Sequence, residues 1–334
     1  MIKIGKRKIG ENLKPLIICE LGINHAGSLV IAKKMVDLAF NNGAEAIKNQ
    51  SHILEKEMIP ESKKVIPANA TKSIFNVIKE NMMSFEDEIK LKKYEEKKKM
   101  IYLSTPFSIE AAIKLKKIGI KAFKIGSGEC NNTPLLEKIA SFKKPIILST
   151  GMNDLKSIRR SVKILKKKRA KFILLHCKSE YPANIKGLKL DFINTLKKEF
   201  PGVLVGYSDH SVGMIPSISA LAKGACIVEK HFTDRKSRKG PDIICSMDPK
   251  DLKFLIESSK IIFSSNGKHK FISSLEKKTA EFAFSSIVST KKIFKGEKLS
   301  AKNIWVKRPG KGYYKAYNFN LLLGKKAKRN ISIN

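Results

Sequence analysis

The sequence of 334 residues predicts an α/β protein in which a (β/α)8 TIM barrel is followed by a small C-terminal domain. Eight short apolar runs of the kind that form buried strands recur in residues 1–264, and segments with helical apolar spacing lie between them. Eight such units in this length fit a closed parallel barrel, which takes about 250 residues. After Ser264 the composition changes to a polar stretch, followed by short β-like runs separated by turn residues.

The barrel prediction depends on strands and helices that alternate along the chain. The strands are predicted, in order, at residues 16–19, 44–48, 100–104, 122–125, 145–149, 172–176, 203–207 and 226–230. The segments between them carry apolar residues at helical spacing, as in Ile158, Val162 and Leu165, and cap residues such as Ser28 and Asp154 stand where helices begin. Since periodicity does not show closure, a doubly wound open sheet stays an alternative.

The C-terminal part of the chain is predicted to form a separate, smaller unit. Residues 1–264 make up the barrel domain, and residues 265–280 are polar and charged, as is typical of a linker. Residues 281–334 contain β-like runs at 285–289 and 303–306. Because so short a segment buries little surface by itself, we expect it to lean on the barrel or on another subunit.

The composition is strongly basic. Lys and Arg number 67 and Asp and Glu number 30, which gives a formal charge of +37. The lysines are spread over the whole chain without a zinc-finger or RNP-type motif, so we expect no specific nucleic-acid partner, and a basic binding module is an alternative. No apolar run is long enough for a membrane span, and the basic N-terminus lacks the apolar segment of a secretory signal. Five cysteines without CxxC spacing indicate reduced thiols. We expect a cytoplasmic protein.

Polar and ionisable residues stand at or just after the ends of nearly all predicted strands. They are Glu20, Lys48, Thr105, Lys124, Ser127, Ser149, His176, Ser208, His210 and His231. In a TIM barrel these positions build the active site at the C-terminal face. Cys177 is interpreted as a buried core thiol, because the sequence shows no acid–base partner for it. The sequence therefore predicts an enzyme.

Two histidines follow the last two strands, which are neighbours in a barrel. His210 and His231 could share one divalent ion and leave positions for water and a substrate oxygen. Two nitrogen ligands suit an exchangeable Mn²⁺ or Mg²⁺ better than structural zinc. Glu20, on the first strand beside them, could then act on a bound water or carbonyl. Two unrelated histidines hydrogen-bonded in loops are the alternative.

Lys48 and Lys124 end the second and fourth strands, near the glycine- and hydroxyl-rich segments at 126–128 and 149–151. Ammonium groups, hydroxyls and free backbone N–H groups are suited to holding a phosphate and a carboxylate. A Schiff-base lysine of a barrel aldolase is an alternative for either residue. No GxGxxG or Walker motif occurs, so nucleotide use is not expected.

Long ordered motifs identify a family resemblance. They are IICELGINHAG (17–27), VIPANA (65–70), LSTPFS (103–108), FKIGSGECNN (123–132), PIILSTGMN (145–153), GYSDHS (206–211), EKHFTDR (229–235), GPDIICSM (240–247) and WVKRPGKG (305–312). In this order they closely resemble the bacterial N-acetylneuraminate (sialic acid) synthases. The resemblance runs from about Ile17 to Gly324, nearly the full chain.

The resemblance implies a TIM barrel with a C-terminal antifreeze-like (SAF) domain, working as a domain-swapped homodimer in sialic acid biosynthesis. It implies a transferase that condenses phosphoenolpyruvate, N-acetylmannosamine and water to N-acetylneuraminate and phosphate, with C–O cleavage and Mn²⁺, or Mg²⁺ or Co²⁺, activating the aldehyde. By similarity, His210 and His231 hold the metal and Glu20 assists the attacking water. The residues implied for substrate binding are Lys48, Thr105, Lys124, Ser127, Ser149 and Ser208 for phosphoenolpyruvate, Asn69, Tyr181, Asp242 and neighbouring Gln50 for the sugar, and Arg308 from the partner subunit.

Within the same family, legionaminic and pseudaminic acid synthases act on 6-deoxy diacetamido sugars, and they are the alternative activity. Three departures from the family pattern stand out. The chain reads KNQSH at 48–52 where relatives read KHQTH, and Ser179 stands where they have an asparagine that contacts phosphoenolpyruvate. The chain stops at Asn334, so the last β-element of the SAF domain is expected to be shortened.

Overall fold

The computed structural model describes residues 1–267 and 269–334, and it divides into two compact units. The first unit is Met1–Asn266 and the second is Gly267–Asn334. Each unit has a hydrophobic core of its own. Among the described residues, no helix combines the length and the apolar composition that crossing a bilayer requires.

The first unit contains a hairpin and a closed barrel of eight parallel strands. Its strands are β1 (Ile2–Ile4), β2 (Arg7–Ile9), β3 (Leu16–Glu20), β4 (Ala46–Ser51), β5 (Ile101–Pro106), β6 (Phe123–Ile125), β7 (Ile146–Ser149), β8 (Phe172–Cys177), β9 (Leu204–Asp209) and β10 (Ile227–His231). Strand β10 pairs with β3, with Ile227 opposite Leu16 and His231 opposite Glu20. This pairing closes the barrel, confirms the predicted fold and excludes the open sheet.

Helices connect successive barrel strands and cover the outside of the barrel. They are α1 (Leu29–Asn41), α2 (Leu54–Glu57), α3 (Ile74–Asn81), α4 (Phe85–Lys97), α5 (Ile109–Lys117), α6 (Thr133–Ser141), α7 (Leu155–Lys167), α8 (Phe192–Glu199), α9 (Ile215–Ala222) and α10 (Pro249–Ser265). The predicted caps are present: the side chains of Ser28 and Asp154 accept hydrogen bonds from the first turns of α1 and α7. The apolar face of α7 buries Ile158, Val162 and Leu165, as its spacing predicted.

The N-terminal hairpin contributes to the inside of the barrel, and the sequence did not predict it. Ile4 and Ile9 are buried and pack in one cluster with side chains of the barrel interior such as Leu16 and Ile18. Gly5 lies in the turn between β1 and β2 with a φ of +59°, a conformation that glycine adopts without steric cost. The strands are only three residues long and together carry two lysines and one arginine, so no clear apolar run marks them.

The second unit is small and contains one two-stranded antiparallel sheet. Its elements are α11 (Ser274–Ala283), β11 (Ser286–Ser289), β12 (Ile304–Lys307) and α12 (Phe319–Leu322). Strands β11 and β12 are antiparallel and lie where the two β-like runs were predicted. Helix α11 begins inside the segment interpreted as a linker, where Ser273 and Glu276 form a capping box. The polar composition of this segment therefore reflects an exposed helix as well as a connection.

Candidate active site

Most of the polar side chains at the strand ends point into one cavity of about 220 Å³ at the barrel mouth. The site residues predicted from the sequence that line it are Glu20, Lys48, Gln50, Thr105, Lys124, Ser127, Ser149, Tyr181, Ser208, His210 and His231. A second chamber of about 670 Å³ adjoins it, and Gln50, Tyr181 and His231 line both. Asn69 and Asp242 line only this outer chamber. Arg308 lies in the second unit, directly after β12.

The floor of the inner cavity carries two buried lysines. Lys48 Nζ lies 2.8 Å from Glu20 Oε2 and donates to Thr105 Oγ1 at 3.2 Å. Lys124 Nζ donates to Ser149 Oγ at 2.7 Å. The ammonium groups are thus held in place by strands β3 to β7, so they are fixed before any substrate enters.

Glu229 lies between these lysines, and no role was predicted for it. Its Oε1 is 3.6 Å from Lys124 Nζ and 3.9 Å from Lys48 Nζ, and it accepts a hydrogen bond from the Ser208 hydroxyl at 3.1 Å. Its Oε2 has no hydrogen-bond partner among the described residues. Glu229 lies two residues before His231, so strand alternation puts both on the same face, and this period of two was the signal that could have found it.

The four buried charges shift one another's pKa values. Burial acts to lower the pKa of Lys48, but Glu20 and Glu229 outweigh burial and raise it. For Lys124 burial prevails, and its pKa is lowered. Burial acts to raise the pKa of Glu229, but Lys124 and Lys48 lower it below the ordinary value. Burial raises the pKa of Glu20 to about 7 despite the opposing effect of Lys48. The cavity therefore holds one ionised carboxylate and one that exchanges its proton near neutral pH.

His210 and His231 lie side by side at the mouth, with ring centroids 5.5 Å apart. His210 Nδ1 is 2.9 Å from the carbonyl oxygen of Lys178, so Nδ1 is the donor and the lone pair of a neutral ring is on Nε2. His231 Nδ1 is buried and has no hydrogen-bond partner among the described residues. Burial and the nearby His210 hold the pKa of His231 well below its usual range, so this ring is neutral.

These two imidazoles fit a divalent metal ion, because His231 Nδ1 has no hydrogen-bond partner among the described residues and a neutral His210 ring has its lone pair on Nε2. Both rings line the inner cavity, and His231 also lines the outer chamber. Within residues 1–267 and 269–334 there is no cluster of three or more His, Cys, Asp or Glu side chains with metal-site geometry. His210 and His231 are the side chains that would hold the ion, and a weak, exchangeable metal site there stays a prediction.

The outer chamber combines an apolar wall with a few polar groups. Ile23, Ile74, Val77 and Ile78 form the apolar side. Tyr181 lies at the boundary with the inner cavity, where its ring is 4.2 Å from the ring of His210. The polar groups come from two loops: Asn69 donates to the carbonyl oxygen of Pro241 at 3.4 Å, and burial raises the pKa of the neighbouring Asp242 to about 6.

Two residues at the end of β8 differ from expectation. His176 does not face the cavity: it packs against the rings of Phe192 and Tyr207, and its Nε2 lies 2.7 Å from the carbonyl oxygen of Leu188. Cys177 is buried as expected, but it does have an acid–base partner, since its Sγ is 3.7 Å from His210 Nδ1. Burial acts to raise the pKa of this thiol, but His210 lowers it to about 7. The prediction that His176 belongs to the site was therefore wrong.

The structure also locates the departures from the family pattern. Asn49 is on the outer face of β4, where its amide donates to Glu95 Oε1 at 3.1 Å. The histidine that relatives carry at this position would therefore face helix α4 and not the cavity. Ser179, in contrast, lines both chambers. The replacement of the family's asparagine by Ser179 therefore changes a residue that lines the site.

The fold and the site define a TIM-barrel enzyme whose inner cavity carries two buried lysines and two buried glutamates and whose outer chamber combines apolar and polar side chains. Comparison with known proteins gives the family. The model of the NeuB family matches residues 35–271, and the model of the SAF domain matches residues 284–334. The chain belongs to the NeuB family.

Several relatives with assigned activities are similar over nearly the full chain. The N,N'-diacetyllegionaminic acid synthase of Campylobacter jejuni is 40% identical and covers 95% of this chain and 97% of its own. The human N-acetylneuraminate-9-phosphate synthase is 31% identical, with 96% and 90% covered. A crystal structure of N-acetylneuraminic acid (sialic acid) synthetase from Leptospira borgpetersenii superposes with a TM-score of 0.75 at 35% identity, covering 84% of this chain and 95% of that one. The chain is an enzyme of the transferase type, similar to acid synthases.

Proposed function

We propose that the protein condenses phosphoenolpyruvate with the open-chain form of an N-acetylated amino sugar and with water, giving a nine-carbon 2-keto acid and phosphate. The observation that supports this most strongly is the pair of adjoining chambers. The inner one carries two buried lysines and several hydroxyls, and the outer one carries amide and carboxyl groups beside an apolar wall. Tyr181 and His231 line both chambers, so the reacting carbons of two substrates would meet beside them.

Phosphoenolpyruvate is the substrate that suits the inner cavity. Lys48 and Lys124 would hold its phosphate and carboxylate, with hydroxyl donors from Thr105, Ser127, Ser149 and Ser208 around them. Gly126 and Gly128 also line this cavity, and because glycine has no side chain they leave room for an anion. Both ammonium groups act as charge clamps in this proposal, and neither forms an imine.

A divalent ion, with Mn²⁺ as first candidate, would be held by His210 and His231. When bound, it supplies a Lewis acid that polarises the carbonyl oxygen of the sugar aldehyde. Tyr181 packs on His210 and would keep the aldehyde end of the sugar close to that point. Asn69, Asp242 and Gln50 would orient the rest of the sugar chain.

The chemistry then needs one new carbon–carbon bond and one broken carbon–oxygen bond. C3 of phosphoenolpyruvate attacks the aldehyde carbon, and the aldehyde oxygen takes up a proton. Water adds to C2 and loses a proton to Glu20, whose carboxylate lies among Lys48 and Gln50. The C2–O bond to phosphate breaks, phosphate leaves with the electron pair, and the C2 hydroxyl becomes the ketone as its proton passes to the phosphate. Rigid positioning of both substrates supplies much of the rate.

Two acceptor sugars fit this reaction. The sequence motifs favour N-acetylmannosamine, which would make the protein an N-acetylneuraminate synthase. A specific pair of observations favours a 6-deoxy diacetamido sugar, as used in legionaminic acid synthesis. The Campylobacter jejuni relative with that activity is 40% identical, and the apolar wall of Ile23, Ile74, Val77 and Ile78 suits a methyl group better than a hydroxymethyl group.

We further propose that the protein works as a homodimer in which Arg308 of one subunit reaches the site of the other. Two separate observations support it. Aliphatic side chains are exposed on the connections around the barrel mouth: Ile59, Val65, Ile66, Met152, Ile185, Val212, Ile215 and Ile244. In the second unit, Tyr313 and Tyr317 near Arg308 are 88% and 83% exposed. Surfaces of this composition are typical of protein interfaces.

Phosphate release from phosphoenolpyruvate tests the proposed activity. It is measured with N-acetylmannosamine and, separately, with a 6-deoxy diacetamido sugar, each with Mn²⁺ and with EDTA. Metal-dependent release with either sugar supports the synthase and identifies the acceptor, whereas no release with any sugar contradicts it. Borohydride added together with substrate should leave the activity intact, because inactivation would indicate an imine and hence the aldolase.

A further inference from the structure

A chain of hydrogen-bonded side chains runs from the loop after β4 to the catalytic carboxylate. Glu57 Oε1 lies 2.8 Å from His52 Nδ1, and His52 Nε2 lies 3.1 Å from Gln50 Oε1. Gln50 Nε2 in turn donates to Glu20 Oε1 at 2.9 Å. The side chains of His52 and Glu57 are only 3% and 4% exposed, so solvent offers them no alternative partners. Neither residue touches the inner cavity or the outer chamber.

The order of donors and acceptors along this chain is constrained. Glu20 is an acceptor when ionised, so Gln50 must turn its NH₂ group toward it. Gln50 then presents its carbonyl oxygen to His52, and His52 Nε2 must carry a hydrogen. On the other side of the ring, Nδ1 shares a hydrogen with the carboxyl group of Glu57. A reversed Gln50 amide would place its oxygen against the Glu20 carboxylate and leave His52 without an acceptor.

The imidazole ring is held rigidly enough to impose this orientation. It stacks on Phe107, with ring centroids 4.4 Å apart and an interplanar angle of 10°. The second carboxylate oxygen of Glu57 accepts from the backbone N–H of Ile53 at 3.3 Å. The ring of His52 and the carboxylate of Glu57 are therefore fixed by neighbouring strands β4 and β5 and by the short helix α2.

We propose that His52 and Glu57 are positioning residues that fix the amide of Gln50, and through it the orientation of Glu20. The inference rests on the proposed function, because Gln50 lines both chambers and Glu20 is the proposed base. Fixing Gln50 keeps Glu20 Oε2 directed at Lys48 while Oε1 is occupied by the amide. Through Gln50 and Glu20, His52 and Glu57 thus affect the addition of water, which is the second half of the proposed reaction. They also affect how the Gln50 amide contacts the sugar.

Kinetics of three variants test this role. In His52→Phe the stack on Phe107 is retained and both ring nitrogens are lost, so kcat should fall by roughly 10- to 100-fold while the KM for phosphoenolpyruvate changes little. In His52→Gln the amide can still donate to Gln50, and most of the activity should return. His176→Phe is the matched control, since it also replaces a buried histidine but lies outside the cavity, and its kcat should match that of the wild type. Thermal unfolding of all three confirms folded protein.

A double-mutant cycle shows whether His52 acts through Gln50. The loss caused by His52→Phe should disappear in a Gln50→Met background, because the amide that it orients is no longer present. An undiminished loss in that background, or wild-type kcat in His52→Phe, would overturn the proposal.

A measurement without turnover separates this inference from the proposed function. In protein labelled with ¹⁵N-histidine, the Nε2 signal of His52, assigned by its absence in His52→Gln, should lie in the range of a nitrogen that carries hydrogen. A signal in the range of a bare lone pair at Nε2 overturns the positioning chain. If the wild type releases no phosphate with any sugar, the proposed function fails, and the Nε2 signal still decides whether His52 orients Gln50.

Discussion

At the scale of single residues, the inner cavity is a nearly balanced set of buried charges. Lys48 and Lys124 are matched by Glu20 and Glu229, and the closest pair is 2.8 Å apart. Buried charges are costly unless they are paired, so the carboxylates keep the lysines charged and in place without substrate. An entering anion then meets ammonium groups that are already oriented, and the remaining reorganisation is small.

The first prediction concerns Glu20. Because burial raises its pKa to about 7, the ionised form that can accept a proton increases as the pH passes upward through about 7. We expect kcat of the wild type to rise over the same interval. Glu20→Gln should lower kcat by about 10² to 10⁴-fold and remove this limb of the pH profile. Steady-state kinetics between pH 6 and about 8.5 measure both effects.

The control for this prediction is Glu88→Gln, which replaces another buried glutamate whose pKa burial raises, outside the cavity. Its pH profile of kcat should match that of the wild type. If kcat of Glu20→Gln still rises as the pH passes through about 7, a group other than Glu20 is the base.

The sequence located many of these residues because a barrel brings the ends of its strands to one face. Glu20, Lys48, Lys124 and Ser149 need only a strand assignment and the alternation of side chains. The role of His52 needed more, because a hydrogen bond depends on rotamers and on the loop conformation after β4. Nothing in the local sequence around KNQSH shows that His52 turns back toward Gln50.

At the scale of elements, helix α4 is joined to strand β4 by buried polar contacts. Asn49 donates to Glu95, and the Ser51 hydroxyl donates to Glu88 Oε1 at 3.1 Å. Asn49 and Ser51 face the helix, and they alternate along β4 with Lys48 and Gln50, which face the cavity. The contacts with the helix therefore fix which side chains of β4 face the cavity. Burial raises the pKa of Glu88 to about 8 and that of Glu95 well above its usual range.

The second prediction follows from Glu88. The folded state binds this proton more tightly than the unfolded chain, so the free energy of unfolding falls as the pH rises from about 4.5 to about 8. Glu88→Gln stays neutral, and it should be more stable than the wild type by about 1–3 kcal/mol near pH 9. The gain should vanish near pH 5, where Glu88 is protonated in the folded protein. Urea unfolding at both pH values measures it.

Glu86→Gln is the matched control, because Glu86 is exposed on the same helix. Its stability should follow that of the wild type at both pH values. Equal pH dependence of Glu88→Gln and the wild type would show that Glu88 ionises without cost to the fold.

The third prediction concerns the hairpin at the N-terminus. Ile4 is fully buried among residues of the barrel interior, whereas Ile2 on the same strand is only partly buried. Ile4→Ala should lower the free energy of unfolding by about 2–4 kcal/mol through loss of buried surface and formation of a cavity. Since the hairpin packs below the site residues, KM values should not change. Ile2→Ala is the control, and a loss equal to that of Ile4→Ala would contradict the assigned packing.

Which elements could be predicted depended on how much apolar sequence each carries. The eight barrel strands are buried on both faces, and their near-continuous apolar runs gave their positions within a few residues. The hairpin of β1 and β2 has three residues per strand and a basic composition, so it has no periodic signal. Helix α11 was not predicted, because it buries no residue against a core and its capping box of Ser273 and Glu276 lies in a polar, charged segment.

At the scale of the whole molecule, the two units differ in the size of their hydrophobic cores. The first unit buries a core that extends around the whole barrel, while the core of the second consists of Ile293, Ile304, Leu322 and Ala327 with a few partly buried neighbours. A unit with so small a core gains stability when it docks on a larger surface. In the proposed dimer, the exposed side chains around the barrel mouth of the partner subunit would offer such a surface.

The last prediction tests the proposed exchange of Arg308 between subunits. Glu20→Gln inactivates the barrel but leaves its own Arg308 intact, and Arg308→Ala does the reverse. When the two inactive variants are unfolded and refolded together, half of the dimers are mixed, and one of the two sites in each mixed dimer combines an intact barrel with an intact arginine. The mixture should therefore recover about a quarter of the wild-type activity. If Arg308 acted within its own subunit, every site would lack one residue and the mixture would stay inactive. Arg308→Ala refolded with itself is the control, and sedimentation of the mixture establishes that dimers have formed.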